Sequence, residues 1–312
     1  MGNVVKWAQM KDSKYSGPMV RGICTYSIPD NPTGFDVIVA ATARPEGGAY
    51  DTVVMYDGTA VTYGLLQWTF TSGRLHKLLL ATARAMGESQ YCVRFGWDLF
   101  NLAGLAVGSN SGSVQTDLND ETLYYKFKKV ANFFKLRDVC TPPGGAVPRT
   151  GKNWEKAKAI ALLFSKLGEI GIAQKAQIDF FREELKHEIN LKRPKMEGRT
   201  IASYLYPMGW EEGDPVHFPW MIALRALFFG VWQNSPRKAE EYLHLVFRDF
   251  KSPLNSQEAV DKLAKKIAYS NYARWGVEKA KQAERPYTSR YQKVAEEINK
   301  VMQQVIVPEY WK

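Results

Sequence analysis

Acidic and small polar residues are concentrated between Glu46 and Gln67. Glu46 stands between a proline and two glycines, and Asp51, Asp57 and Thr62 follow it. Cleavage of a glycosidic bond needs a carboxylic acid that protonates the leaving oxygen and a second group, a base or a nucleophile, across the sugar. A glutamate just past the C-terminus of a helix suits the first task, because the helix dipole disfavours negative charge there. The glycines that follow leave room for a substrate.

The second group is expected on the segment after Glu46. Asp51 and Asp57 are both candidates for the second carboxylate, and Thr62 is a candidate to hold a water molecule by a hydrogen bond. However, Asp57-Gly58 is also a strong signal for a two-residue hairpin turn, which explains this aspartate without any chemistry. The corresponding alternative for Glu46 is a solvated loop acid. The residue types alone leave both explanations open.

Three predicted elements would position these residues. Residues 35–44, FDVIVAATAR, have the apolar content of a buried helix, which must end near Arg44 because Pro45 disfavours helical geometry in the residue before it. Residues 50–63 are rich in Val, Thr and Tyr around the Asp-Gly turn and predict a short β-hairpin. From Gly64 onward the pattern becomes helical, and residues 74–88 are the clearest case.

The rest of the chain is predicted to be mostly helical. Residues 97–140 are helical in parts with a break at 108–113, and long helical patterns cover 152–192, 216–250, 256–282 and 286–305. Residues 141–151, TPPGGAVPRTG, are the most linker-like stretch. We therefore predict a mainly α protein of α+β class. Residues 1–140 form a catalytic region with a small hairpin, and residues 152–312 form a helical region that completes the cleft or binds cell wall or a partner.

Composition and charge narrow the class of function. The three cysteines are far apart in the 312 residues, which argues against a disulfide framework. The four histidines lack the spacing of a zinc site, so we expect neither a metal nor a cofactor. No apolar h-region opens the chain, which predicts synthesis in the cytoplasm without a signal peptide. The net charge of +10 predicts an anionic partner such as cell-wall polymer, nucleic acid or membrane headgroups.

The order of these features resembles the lysozyme-like superfamily, which includes phage-type and goose-type lysozymes, lytic transglycosylases and chitosanases. Phage-type lysozymes carry a Glu at a helix end, an Asp in the following hairpin and then Thr-x-Gly; here these are Glu46, Asp57 and residues 62–64. Goose-type enzymes and lytic transglycosylases carry a Glu and later Gly-Leu-Met-Gln, which corresponds to the Gly-Leu-Leu-Gln of residues 64–67, opening a helix. The resemblance covers residues 35–90. Gly47 replaces the Ser that commonly follows the acid in transglycosylases, which favours hydrolysis.

The resemblance implies a role for each of these residues. Glu46 is the general acid, and Asp57 positions or activates water with help from Thr62, with Asp51 as the competing second carboxylate. Gln67 lines the sugar cleft, and five further residues are candidates to contact the sugar: Tyr50, Tyr56, Tyr63, Gly64 and Trp68. At least half of the aromatic residues among them are expected to pack in the core instead. The implied function is a muramidase that hydrolyses peptidoglycan glycan strands, either in phage lysis, in a virion or as a delivered antibacterial toxin. It acts on the wall or periplasm after release or delivery, so a phage particle or a secretion or injection machine is an expected partner.

Other functions stay open at this point. A non-enzymatic phage-particle protein, or a protein that binds nucleic acid or cell wall, fits a basic helical region attached to a lysozyme-like shell. Residues 275–293 are basic with interleaved aromatics, but a solvated amphipathic helix explains them more simply than nucleic-acid binding does. A lytic transglycosylase and a chitosanase are the enzymatic alternatives, although cationic chitosan is repelled by a chain of this charge.

Overall fold

The described part of the chain begins with an antiparallel sheet. The computed structural model describes residues 4–9, 16–30, 33–43, 48–56, 61–70, 73–103 and 152–190, together with residues 228, 229, 232, 239–241, 243 and 244. The sheet has five strands in sequence order, β1 (Val5–Gln9), β2 (Ser16–Val20), β3 (Val53–Val54), β4 (Thr62–Tyr63) and β5 (Trp68–Thr69). Together with the helices below, it gives the described residues the character of an α+β protein.

The predicted hairpin lies in the middle of this sheet. Val53 pairs with Tyr63 and Val54 with Thr62 in antiparallel register, so the strands of the hairpin predicted at 50–63 are confirmed. The Asp57-Gly58 turn itself lies outside the described residues. The sequence predicted a single hairpin, whereas β2 pairs with β1 on one side and with β3 on the other. Glycine and proline are depleted in strands, so the Ser-Gly-Pro start of β2 gave no strand signal.

Helices follow the sheet. The helix predicted at 74–88 is observed as α2 (Arg74–Met86), which ends at Gly87 with φ 77°. Its buried residues recur at the spacing of one helix face: Leu75, Leu78, Leu79, Thr82, Ala83 and Met86. The chain continues through α3 (Glu88–Tyr91), a π-helical segment (Cys92–Gly96) and α4 (Trp97–Ala103). The break predicted at 108–113 lies outside the described residues.

Two helices occupy the range predicted as one helical pattern at 152–192. They are α5 (Lys152–Gly168) and α6 (Gly171–Ile189), with a break at residues 169–170. α5 packs against β1, β2 and β3, as well as against α4 and the π-helical segment. A Cβ atom on Gly168 would lie 2.3 Å from the carbonyl oxygen of Tyr50, so the end of α5 presses directly on the backbone that precedes β3.

The chain divides into two compact units, each made of two segments. The first unit comprises Met1–Tyr26 and Gly47–Phe181, and the second comprises Ser27–Glu46 and Arg182–Lys312. The first unit therefore includes α5 and the first part of α6, which the sequence assigned to the region 152–312. The predicted linker at 141–151 lies outside the described residues. Among the described helices, none has both the length and the apolar character needed to cross a bilayer.

The second unit contains the helix predicted at 35–44, observed as α1 (Gly34–Ala43). Its start is fixed by a reciprocal cap: the Asp36 N–H donates to the Thr33 hydroxyl oxygen, while the Thr33 N–H and hydroxyl donate to the Asp36 carboxylate at 2.8 and 2.6 Å. The guanidinium of Arg182 lies 4.5 Å from the centre of the Phe35 ring. The described positions between 228 and 244 are helical, in the range predicted at 216–250. The ranges 256–282 and 286–305 lie outside the described residues.

Candidate active site

The ten residues predicted from the sequence to form a site fall into three groups. Glu46 and Asp57 lie outside the described residues. Tyr56 and Gln67 are partly exposed. The remaining six are buried in the first unit: Tyr50, Asp51, Thr62, Tyr63, Gly64 and Trp68. The described part of the candidate site is therefore mainly a buried scaffold, which presents a small number of polar groups at the surface.

Asp51 is held by the protein's own backbone. Its carboxylate is fully buried, Oδ1 accepts the N–H groups of Ile23 and Cys24 at 3.0 and 2.9 Å, and Oδ2 accepts the Ile23 N–H at 3.1 Å. A Cβ atom on Gly22 would lie 2.4 Å from Oδ1, so backbone packs tightly against the carboxylate. The position predicted as a competing second carboxylate thus anchors residues 22–24 and has no surface on which to meet a substrate.

Further hydrogen bonds connect residues 22–24 to residues 50–52. The Thr52 hydroxyl oxygen accepts the N–H of Gly22 at 3.2 Å, and the Tyr50 N–H donates to the Cys24 carbonyl at 2.8 Å. Burial, together with the negative charges of Asp51 and Glu169, raises the pKa of the Cys24 thiol. A thiol with a raised pKa is a poor nucleophile at neutral pH, so Cys24 belongs to the scaffold.

Residues 64–67 form a four-residue connection between β4 and β5. The Gly64 carbonyl oxygen accepts both the backbone N–H of Gln67 at 3.1 Å and its side-chain Nε2 at 2.8 Å. Gly64 has φ 85° and Gln67 has φ 56°, both outside the range of a right-handed helix. The expectation that this Gly-Leu-Leu-Gln opens a helix is therefore wrong. Leu65 and Leu66 are buried, which explains the apolar character that suggested one.

Gln67 is a non-glycine residue in the left-handed region, and such residues are uncommon. Backbone strain of this kind concentrates at functional sites, where the surrounding structure maintains it. Here the strain is maintained by the two bonds to Gly64. Within the described ranges, the side-chain oxygen of Gln67 has no protein partner, so this half-exposed amide has hydrogen-bonding capacity available for a ligand.

Gln177 lies on the buried face of α6 and forms hydrogen bonds to the connection between β4 and β5. Its Oε1 accepts the Leu65 N–H at 2.8 Å, and its Nε2 donates to the Tyr50 carbonyl at 3.0 Å and to the Tyr63 hydroxyl oxygen at 3.1 Å. Gln177 was not among the site residues predicted from the sequence. It shares the buried face of α6 with Ala173, Ala176 and Phe181, and a polar residue on such a face was the available signal.

Two of the aromatic residues predicted to contact sugar belong to the core. Trp68 is fully buried and Tyr63 is 1% exposed, and their rings pack against Phe180 and Phe164 with centroids 5.9 and 5.2 Å apart. A ring without an exposed face cannot stack on a sugar, so these two positions shape the scaffold instead. Burial also raises the pKa of the Tyr50 hydroxyl to about 12. Tyr56 retains an accessible surface.

Two further sources of information on the site are a metal-binding cluster and similarity to known proteins. In the part of the chain that the structure describes, no three His, Cys, Asp or Glu side chains come together as a potential metal site. No protein-family model matches the chain, and no curated protein and no solved structure matches it. The functional conclusion therefore depends on the residues of the chain itself.

Proposed function

We propose that the protein is a muramidase, a glycoside hydrolase that cleaves the glycan strands of peptidoglycan. The observation that carries the proposal is the strained and tightly bonded connection at residues 64–67, which ends in the partly exposed Gln67. Groups that position a substrate must themselves be held by packing and by supporting hydrogen bonds. The packing and hydrogen bonds of residues 64–67 meet this requirement for the wall of a binding cleft.

In the proposed mechanism Glu46 is the general acid. A carboxyl group in this role must be protonated near the working pH so that it can donate a proton to the leaving glycosidic oxygen. Asp57 is the second carboxylate and acts on the attacking water. The geometry of Asp51 supports this choice between the two aspartates, because the Asp51 oxygens are already bonded to the N–H groups of Ile23 and Cys24.

The remaining residues of the site either contact the sugar or support the residues that do. Gln67 and Tyr56 are partly exposed and offer hydrogen-bonding groups to the sugar hydroxyls and acetamido groups. Thr62 and Gly64 are buried; Thr62 belongs to β4, and Gly64 begins the connection that ends in Gln67. Thr62 has relative exposure of 4%, so its role in the proposal is to orient its neighbours rather than to hold a water at an open surface.

The charge of the chain fits an anionic polymer as substrate. A net charge of +10 attracts the protein to negatively charged wall components over a distance set by the salt concentration. Release in phage lysis, carriage on a virion and delivery as an antibacterial toxin are the routes by which such an enzyme reaches the wall. A phage particle or an injection machine is the proposed partner in the last two.

The proposal is tested by Glu46→Gln on purified peptidoglycan, followed as loss of turbidity. General acid catalysis contributes about 10²–10⁴-fold, so the variant should retain its fold and lose activity by that order. The same chemical change at Glu155, whose side chain is 67% exposed on α5, is the matched control and should leave the rate unchanged. Clearing by Glu46→Gln at the rate of the unaltered protein overturns the proposal. Binding to the wall without any turnover by the unaltered protein indicates a non-enzymatic wall-binding protein instead.

A further inference from the structure

Gln177 joins α6 to two other stretches of the first unit, at residue 50 and at residues 63–65, through one buried carboxamide. Its partners are the carbonyl before Asp51, the hydroxyl of Tyr63 on β4, and the N–H of Leu65 inside the connection to β5. The side chain is 1% exposed, so water does not compete for these bonds. We infer that Gln177 is a positioning residue of the proposed active site, setting the geometry of residues 64–67 and thereby of Gln67. The inference rests on the proposed function.

The chemistry of the three partners selects a carboxamide. The Leu65 N–H can only donate and the Tyr50 carbonyl can only accept, so the side chain between them must accept on one atom and donate on another. Glutamine does both in a single planar group, and its orientation is fixed by these two backbone partners. Leucine at this position offers neither function, and an ionised glutamate accepts from Leu65 but faces the Tyr50 carbonyl with a negative charge.

Residues 64–67 are packed too tightly to adjust when the hydrogen bonds of Gln177 are lost. A Cβ atom on Gly64 would lie 2.6 Å from Oε1 of Gln177, so the backbone passes directly over the amide. The Gly64 carbonyl in turn holds both the N–H and the side chain of Gln67. A change at Gln177 therefore reaches the partly exposed amide of Gln67 through two bonded steps. A displacement of about 1 Å at a site of this kind can reduce turnover about 10²-fold.

The first test compares Gln177→Leu with Gln174→Leu. Gln174 lies one turn earlier on α6, and its Nε2 donates to the Gly168 carbonyl at 2.8 Å, so the control also loses one glutamine side-chain anchor but none of the contacts to residues 64–67. Hydrogen–deuterium exchange of the peptide that contains Leu65 should accelerate at least about tenfold in Gln177→Leu only. At temperatures where circular dichroism shows both variants folded, turnover should fall about 10–100-fold in Gln177→Leu and less than about twofold in Gln174→Leu.

The second test uses Gln177→Glu, because its effect depends on pH. Burial raises the pKa of an introduced carboxyl group. The protonated form can donate to the Tyr50 carbonyl and accept from Leu65, whereas the ionised form cannot donate. The turnover of Gln177→Glu relative to the unaltered protein should therefore be low at neutral pH and rise toward equality as the pH is lowered. A side chain needed only for global stability would show no such pH-dependent recovery among fully folded samples.

The outcomes separate this inference from the proposed function. If the unaltered protein cleaves peptidoglycan but Gln177→Leu matches Gln174→Leu in turnover, the inference is overturned and the proposed function stands. If the unaltered protein releases no fragments, the proposed function fails, and retention on insoluble peptidoglycan then decides about Gln177. Weaker retention of Gln177→Leu than of Gln174→Leu supports the positioning role, and equal retention overturns it.

Discussion

Replacement of Asp51 tests whether this carboxylate is structural or chemical. In the structure it accepts the N–H groups of Ile23 and Cys24 with no exposed surface. Asp51→Ala removes the acceptor of both N–H groups, which are part-buried, and empties the buried space that the carboxylate fills. An unsatisfied donor costs about 1–3 kcal/mol when it is buried and less where water reaches it, so we expect the free energy of unfolding to fall by about 2–4 kcal/mol.

Asp51→Asn is the milder perturbation. An amide oxygen in the place of Oδ1 keeps both backbone bonds, while the NH₂ group in the place of Oδ2 faces the Ile23 N–H at the observed 3.1 Å. The bonds also lose their charge assistance, worth about 1 kcal/mol each. Relief of the cost of burying a charge offsets part of this loss. The expected decrease in the free energy of unfolding is about 1–2 kcal/mol.

The assay combines urea unfolding with turnover on purified peptidoglycan. Asp57→Asn is the matched comparison, since an Asn-Gly pair is also a good hairpin turn and should leave the urea midpoint nearly unchanged. We expect Asp51→Asn to lose stability and keep turnover per folded molecule, and Asp57→Asn to do the opposite. An Asp51→Asn protein with the stability of the unaltered chain and no turnover would show that Asp51 is the second carboxylate and not a structural anchor.

Two further predictions concern packing and pH. Gly168→Ala places a methyl group 2.3 Å from the Tyr50 carbonyl oxygen and should lower the free energy of unfolding in urea by at least about 2 kcal/mol. In the control, Gly171→Ala, the methyl group meets nothing within 4 Å, so the change should be neutral or stabilising. Equal effects of the two substitutions would contradict the packing of α5 on that backbone. Because burial raises the pKa of Tyr50 from its ordinary 10.0 to about 12, its stabilising contribution is complete below pH 10 and lost as the pH rises to about 12. The urea midpoint of Tyr50→Phe should fall less over that range, and parallel declines would contradict this assignment.

Local patterns predicted the elements whose signals are contained in a short stretch of chain. α1 has a continuous apolar run that ends before Pro45, and α2 has regular helical spacing. The β3–β4 strands carry the β-branched and aromatic residues expected of a hairpin.

Features set by distant partners were not predictable in this way. Leu65 and Leu66 look helical in sequence, but their connection is held by Gln177 more than a hundred residues later. Asp51 is a candidate second carboxylate by sequence, but its oxygens accept the N–H groups of residues 23 and 24. These hydrogen bonds join residues that are 27–30 positions apart, and the residue types on either side do not reveal which partner each residue will meet.

Glu46 is proposed to be the acid in hydrolysis of the peptidoglycan glycan strand. This role is tested by digesting purified peptidoglycan with the unaltered protein and with Glu46→Gln, followed by mass analysis of the soluble fragments. We expect fragments with reducing muramic acid ends from the unaltered protein and none from the variant. Fragments with 1,6-anhydro ends would identify a lytic transglycosylase, and the absence of any new ends from the unaltered protein would rule out glycan-strand cleavage.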